Sequence, residues 1–212
     1  ITLDPSSPTG NVAPGQTNVT VAKFKVNSYG EQVKVKFVPF KVVLASNVAT
    51  THVDNVYLVD DAGNQIGTTI TTPSATATDG ITWSSTATGG TTNGNDVAAT
   101  FGTSSSNINY LIPANQTRIW SLKTDIVSTA TGTIAASLNA GTSNYQGQIS
   151  LSNGNSTAVT GNTLTVQSNP FQAKLNSALG TGNLVKGQGS ARIGSFVLSA
   201  SSAEGINVST VT

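Results

Sequence analysis

The chain reads as an all-β protein, an antiparallel Greek-key (immunoglobulin-like) β-sandwich followed by the opening strands of a second repeat unit. Three observations predict this. Thr, Val, Ser, Asn and Gly dominate while Leu, Glu, Lys and Arg are sparse, which favours strands and turns over helices. Apolar residues alternate with period two in short runs, the pattern of half-buried strands. Turn residues separate those runs at a spacing of roughly 8–12, as in sandwiches.

Taken in order, Val19 and Val21, then Phe24 and Val26, mark a first strand whose phase slips at Ala22-Lys23. Val33, Val35 and Phe37 alternate against Lys34 and Lys36, and the phase then flips around Pro39 to Phe40, Val42 and Leu44. A flip beside a proline predicts either a bulge or a strand crossing between sheets. Val56–Val59 and Gln65–Thr68 flank Asp60-Asp61-Ala62-Gly63-Asn64, a hairpin with a glycine-containing loop. Residues 71–96 read as a long surface connection with Ile81 and Trp83 as its large side chains. Strands resume at Asp96–Phe101 and Ile108–Ile112, and Pro113-Ala114-Asn115 turns the chain into Thr117–Ile126, where Trp120 is expected in the core. Thr133–Leu138, Tyr145–Leu151 and Thr163–Val166 complete the series.

The most informative feature is an internal repeat. Leu3-Asp4 … Thr9-Gly10-Asn11-Val12-Ala13-Pro14-Gly15-Gln16 … Phe24-Lys25-Val26 returns as Leu175-Asn176 … Thr181-Gly182-Asn183-Leu184-Val185-Lys186-Gly187-Gln188 … Phe196-Val197-Leu198. The offset is constant at about 172 residues, a period suited to a whole domain. After a one-residue insertion, Val33-Lys34-Val35 is echoed by Ile206-Asn207-Val208. The expected domains are therefore a sandwich over 1–168 and a partial second unit, or strand-exchanging segment, over 169–212. Alone, those later strands leave hydrogen-bonding edges and an apolar face uncovered. Three resolutions stay open: a piece of a longer tandem array, a segment completed by a neighbouring subunit that donates or accepts strands, or a truncation at a boundary. Under the second, Phe171, Leu175, Phe196, Leu198, Ile206 and Val208 form the assembly interface.

Several stretches resemble a known type of repeat. They are Val12–Phe24 followed by Glu31-Gln32-Val33-Lys34-Val35, the hairpin Val56-Tyr57-Leu58-Val59-Asp60 … Gly63 … Ile66-Gly67, and Ile112-Pro113-Ala114-Asn115 … Leu122-Lys123-Thr124-Asp125-Ile126. Together they resemble the tandem β-sandwich repeats of large surface-layer and adhesin-like proteins from uncultured small-genome bacteria, over most of residues 1–140. The resemblance implies an extracellular structural role and carries no catalytic motif.

The inventory narrows function further. Charged residues are 9% of the chain, with 10 Lys plus Arg against 9 Asp plus Glu, and Cys and Met are absent. That removes disulfide frameworks, thiolate metal sites and cysteine nucleophiles. A net charge of +1 gives no electrostatic pull toward nucleic acid, no apolar run has membrane-spanning length, and no signal-peptide pattern stands at Ile1. His52 is the one histidine, with Asp54 nearby but no Gly-x-Ser-x-Gly elbow to complete a triad. The nine acids are scattered, with no pair in an aromatic-lined setting for glycoside hydrolysis. No catalytic residue and no enzyme activity are expected.

Binding candidates remain. Asp60, Asp61 and Asn64 could offer oxygens to calcium, but a calcium ion takes 6–8 such ligands and turn chemistry accounts for the loop. No other cofactor is expected. Lys34 and Lys36 share a strand face, with Lys23 and Lys25 expected beside them on a partner strand; such a stripe could meet an anionic glycan or another subunit, or simply block edge-to-edge pairing. Trp83 is the aromatic best placed for a glycan or partner. Asn18, Asn115, Asn155 and Asn207 stand in N-glycosylation sequons. The expected function is a structural subunit or segment of an extracellular assembly, a surface layer or filament, that polymerises through β-strand edges. The alternative is an adhesin or carbohydrate-binding module, which requires Trp83, Tyr29 and Tyr145 to converge on one groove.

Overall fold

A computed structural model describes residues 1–45, 53–71, 96–167, 171–178, 183–184, 186–200 and 207–210. Its strands are β1 (Thr2–Leu3), β2 (Gly10–Val12), β3 (Val19–Asn27), β4 (Val33–Val35), β5 (Val38–Ala45), β6 (Val53–Val59), β7 (Gln65–Ile70), β8 (Asp96–Phe101), β9 (Tyr110–Ile112), β10 (Thr117–Ile126), β11 (Gly132–Leu138), β12 (Gly141–Gly147), β13 (Asn153–Ser156), β14 (Thr163–Val166), β15 (Phe171–Leu175) and β16 (Phe196–Ala200). No helix occurs among the described residues, and none is long and apolar enough to cross a membrane.

The strands form three main open sheets: β1-β3-β10-β6-β7, β2-β14-β11-β5-β8 and β13-β12-β4-β9. Side chains from all three share one core. Phe24 of the first sheet meets Phe40 of the second with ring centroids 5.1 Å apart. Trp120 of the first meets Tyr110 of the third edge-on at 5.7 Å. The first sheet is thus one layer of a sandwich, and the second and third together form the other. Four stretches of chain run from one half of that other layer to the other: β4 into β5, β8 into β9, β11 into β12, and β13 into β14. The bend between the halves is stitched by Ile108 N donating to Lys36 O and Lys36 N donating to Asn144 O, both at 2.8 Å. Gly102 sits on this line at φ +71°, where a Cβ would lie 2.7 Å from Lys36 O, so only glycine fits. Buried Asn144 finishes the seam: its amide donates to Ser156 Oγ at 2.8 Å and accepts from Ser156 N at 2.9 Å.

Both phase slips have structural causes. Leu122 pairs with Ala22 but Lys123 pairs with Thr20, so Val21 is the extra residue of a bulge and both Val21 and Ala22 face inward, fully buried. The flip before Pro39 is the crossing from the third sheet to the second. Trp120 lies in the core with no exposed surface.

Some boundaries differ from the sequence reading. The predicted strand Tyr145–Leu151 is β12, which starts at Gly141 and stops at Gly147. The Glu31 carboxylate accepts the Ile149 and Ser150 amides at 2.6 and 3.0 Å and the Ser150 hydroxyl at 2.6 Å, pulling the chain into a turn there. Ile149 and Leu151, which looked like strand residues, are exposed. The run expected over Ile108–Ile112 pairs only from Tyr110. Short strands β1, β2 and β13 were not foreseen, and β2 runs parallel to β14, an exception to the antiparallel pattern. Most of the predicted long connection at 71–96 lies outside the described residues.

Candidate functional site

Two features stand out on this scaffold: the segment after β14 and a cleft at one edge of the sandwich. The sandwich core is drawn from residues between Val12 and Val166. Beyond it, β15 and β16 form an antiparallel pair of their own.

That pair reproduces the start of the chain in detail. In β1–β3, Leu3 pairs with Phe24 and Thr2 with Lys25; in β15–β16, Leu175 pairs with Phe196 and Lys174 with Val197. Each position is displaced by the repeat offset. The flanking bonds repeat as well. Asp4 N donates to Lys23 O at 3.0 Å and Asn176 N to Ser195 O at 2.8 Å. The Asp4 side chain accepts the Ser6 amide at 2.8 Å, and the Asn176 side chain accepts the Ala178 amide at 3.0 Å. Gly15 and Gly187 have φ +77° and +86°, and Asn18 and Ser190 have φ 58° and 54°.

What differs is cover. Phe24 is fully buried, flanked by β10 and covered by the opposite layer, whereas Phe196 is 68% exposed. Leu175, Val197, Leu198 and Val208 are exposed too. Of the predicted interface residues, Phe171 and Leu175 lie on β15, Phe196 and Leu198 on β16, and Ile206 outside the described residues.

The cleft opens between edge strands β1 and β13 and encloses about 440 Å³. Ile1, Val26, Val35, Val38, Ile112 and Trp120 form its apolar floor, and Asn27, Tyr29, Glu31, Ser150, Asn153 and Asn155 its polar rim. Tyr29 is 79% exposed at the mouth. The Tyr145 ring lies against Gly154, where a Cβ would come within 2.1 Å of it. Tyr29 and Tyr145 thus share one groove; Trp83 lies outside the described residues, as does His52. Sequence reasoning missed the cleft because its walls come from strands distant in the chain. Hydrogen bonds from Ser150 and Ile149 hold the Glu31 carboxyl below the usual range.

The other candidates are placed as follows. Asp60 caps its own hairpin: Oδ1 accepts the Ala62 and Asn64 amides at 3.0 and 2.8 Å, and Oδ2 accepts from the Tyr110 hydroxyl at 3.2 Å. Burial pushes its pKa up, but these bonds outweigh that and lower it. Asp61 pairs with Arg118 at 3.5 Å, and the Asn64 amide turns back to Asp60. The expected lysine stripe is split, because Lys23 and Lys25 lie on β3 of the first sheet and Lys34 on β4 of the third, with Lys36 just after it. Lys36 Nζ donates to Asn153 Oδ1 at 3.0 Å, on the cleft rim. All four sequon asparagines are exposed. Three have side-chain oxygens that accept bonds: Asn18 from Lys123, Asn115 from the Gly30 amide and Asn155 from the Ser143 amide.

Compared with protein-family models, curated proteins and solved structures, the chain matches none.

Proposed function

We propose that this chain is a structural module of an extracellular assembly, a surface layer or filament in which like β-sandwich units meet through strand edges. The observation that supports it is the repeated β1–β3 register in β15–β16, with the side chains that are core in the first copy lying on the surface in the second. A contiguous set of exposed apolar residues on a two-stranded ribbon is a surface that seeks cover. Among the described residues β16 pairs with β15 alone, and its other edge offers backbone bonds to an incoming strand. The low charge and the wealth of hydroxyls and amides suit polar, hydrogen-bonded contacts between units. A chain free of Cys and Met also suits oxidising surroundings.

Sedimentation and electron microscopy of the full chain test this. Ordered, concentration-dependent polymers are expected, and Phe196→Lys with Leu198→Lys should abolish them while far-ultraviolet circular dichroism of the sandwich is unchanged. A chain that stays monomeric at every concentration would contradict it.

A second reading, a carbohydrate-binding or adhesin module, is favoured by Tyr29 and Tyr145 meeting at one cleft. Titration calorimetry with soluble oligosaccharides checks it; binding lost on Tyr145→Ala would support it.

A further inference from the structure

The internal repeat also says what fits the cleft. Strand β15 begins three residues earlier than its counterpart β1, at Phe171 rather than at Lys174, the equivalent of Thr2, so Phe171 and Gln172 lie ahead of Ala173, the equivalent of Ile1. Those two extra residues pair with Ala200 and Ser199, whose equivalents in the first copy are Ser28 and Asn27. Strand β1 pairs only as far as Thr2 with Lys25, so on that side Asn27 and Ser28 have no strand partner among the described residues. Both line the cleft.

Side-chain direction follows from the pleat. Ile1 and Leu3 both pack against the core, so a residue two places ahead of Ile1 projects to the same side. That side is the cleft, beside Ile1 and Val26. In the second copy the residue at this place is Phe171. A cavity of roughly 150 Å³ suffices to admit benzene, and the cleft measures about 440 Å³, so a phenyl ring enters with room for water at the polar rim.

We propose that the cleft is a socket for an aromatic side chain carried on an extended lead-in strand of the Phe171-Gln172 pattern, which prolongs β1 and pairs with Asn27 and Ser28. The occupant is the lead-in strand of a like β-sandwich unit, joined in the same chain direction as Phe171 is joined to β15. Seating that ring locks a unit to the strand that precedes it. The inference rests on the assembly reading for its purpose, but not for its geometry.

The full chain tests it when Asn-Pro-Phe-Gln, its own residues 169–172, is placed directly ahead of Ile1. The melting temperature should rise by about 3–8 °C over the parent chain. A companion with Ala in place of that Phe should lose most of the gain. Equal melting temperatures for the Phe and Ala extensions, or no rise with either, would overturn the socket. So would thermal stabilisation of the parent chain by cellohexaose that persists undiminished in the Phe extension, since it would give the cleft to a saccharide. None of these outcomes depends on self-association through Phe196 and Leu198, so the socket and the assembly reading fail separately.

Discussion

Strands β1–β3 and β15–β16 are nearly the same piece of structure in two settings. They share register, the Asx-type turn at Asp4 and Asn176, and left-handed backbone at Gly15 and Gly187. They differ in burial: Phe24 has β10 beside it and Phe40 packed on it, and among the described residues Phe196 has no counterpart of either. The comparison separates two kinds of information. Register and turn geometry travel with about thirty residues of local sequence, because side-chain alternation and glycine conformations set them. Burial does not travel, since it needs strands that lie elsewhere in the chain.

The sharpest way to break this comparison is to make the same substitution in both copies. Phe24→Ala should cost roughly 3–5 kcal/mol of sandwich stability in urea unfolding. Phe196→Ala should leave that transition within about 0.5 kcal/mol. Comparable losses would mean that the second copy is part of the sandwich core.

Glycine substitutions probe what the copies share. Gly15→Ala and Gly187→Ala both force a side chain into left-handed backbone, and neither meets a close neighbour. Each should cost about 1–2 kcal/mol, read for Gly15 from urea unfolding and for Gly187 from faster amide exchange in β16. A large cost at one position and none at the other would show that the turns are not equivalent.

The smallest effect is in acid. Glu31 and Asp4 have carboxyls held below their ordinary values, Glu31 by bonds from Ser150 and Ile149 and Asp4 by bonds from Ser6. Depressed carboxylates stabilise the fold above their unfolded pKa, and that contribution disappears as pH falls through the folded value. The sandwich should therefore weaken progressively below about pH 4.5, and Glu31→Gln should flatten part of that slope. Asp4 is matched by Asn176 in the second copy, which should show no such acid response at its turn.

Much of this architecture was legible in the sequence because it depends on short-range pattern. The alternation at Thr117–Ile126 and Thr163–Val166 matches β10 and β14 at both ends. The slip read at Ala22-Lys23 sits beside the bulge at Val21, and of the two causes open for the flip around Pro39, a bulge or a sheet crossing, the structure has the crossing. The end of β12 was not legible, since Ile149 and Leu151 keep the alternation while Glu31, more than a hundred residues away, bends the chain. The lysine stripe failed for a related reason: β3 and β4 are adjacent in sequence but enter different sheets. Nor could the sequence place Tyr29 and Tyr145 in one cleft, because the first follows β3 and the second lies on β12, more than a hundred residues on and in another sheet.

Amide hydrogen exchange of β16 across a protein concentration series tests the central claim most directly, with β3 of the same molecule as internal reference. If like units cover the exposed ribbon, protection at Phe196–Ala200 should climb with concentration toward that of the matching β3 amides. Fast exchange there at every concentration, beside a fully protected β3, would contradict the claim that this surface is made for assembly.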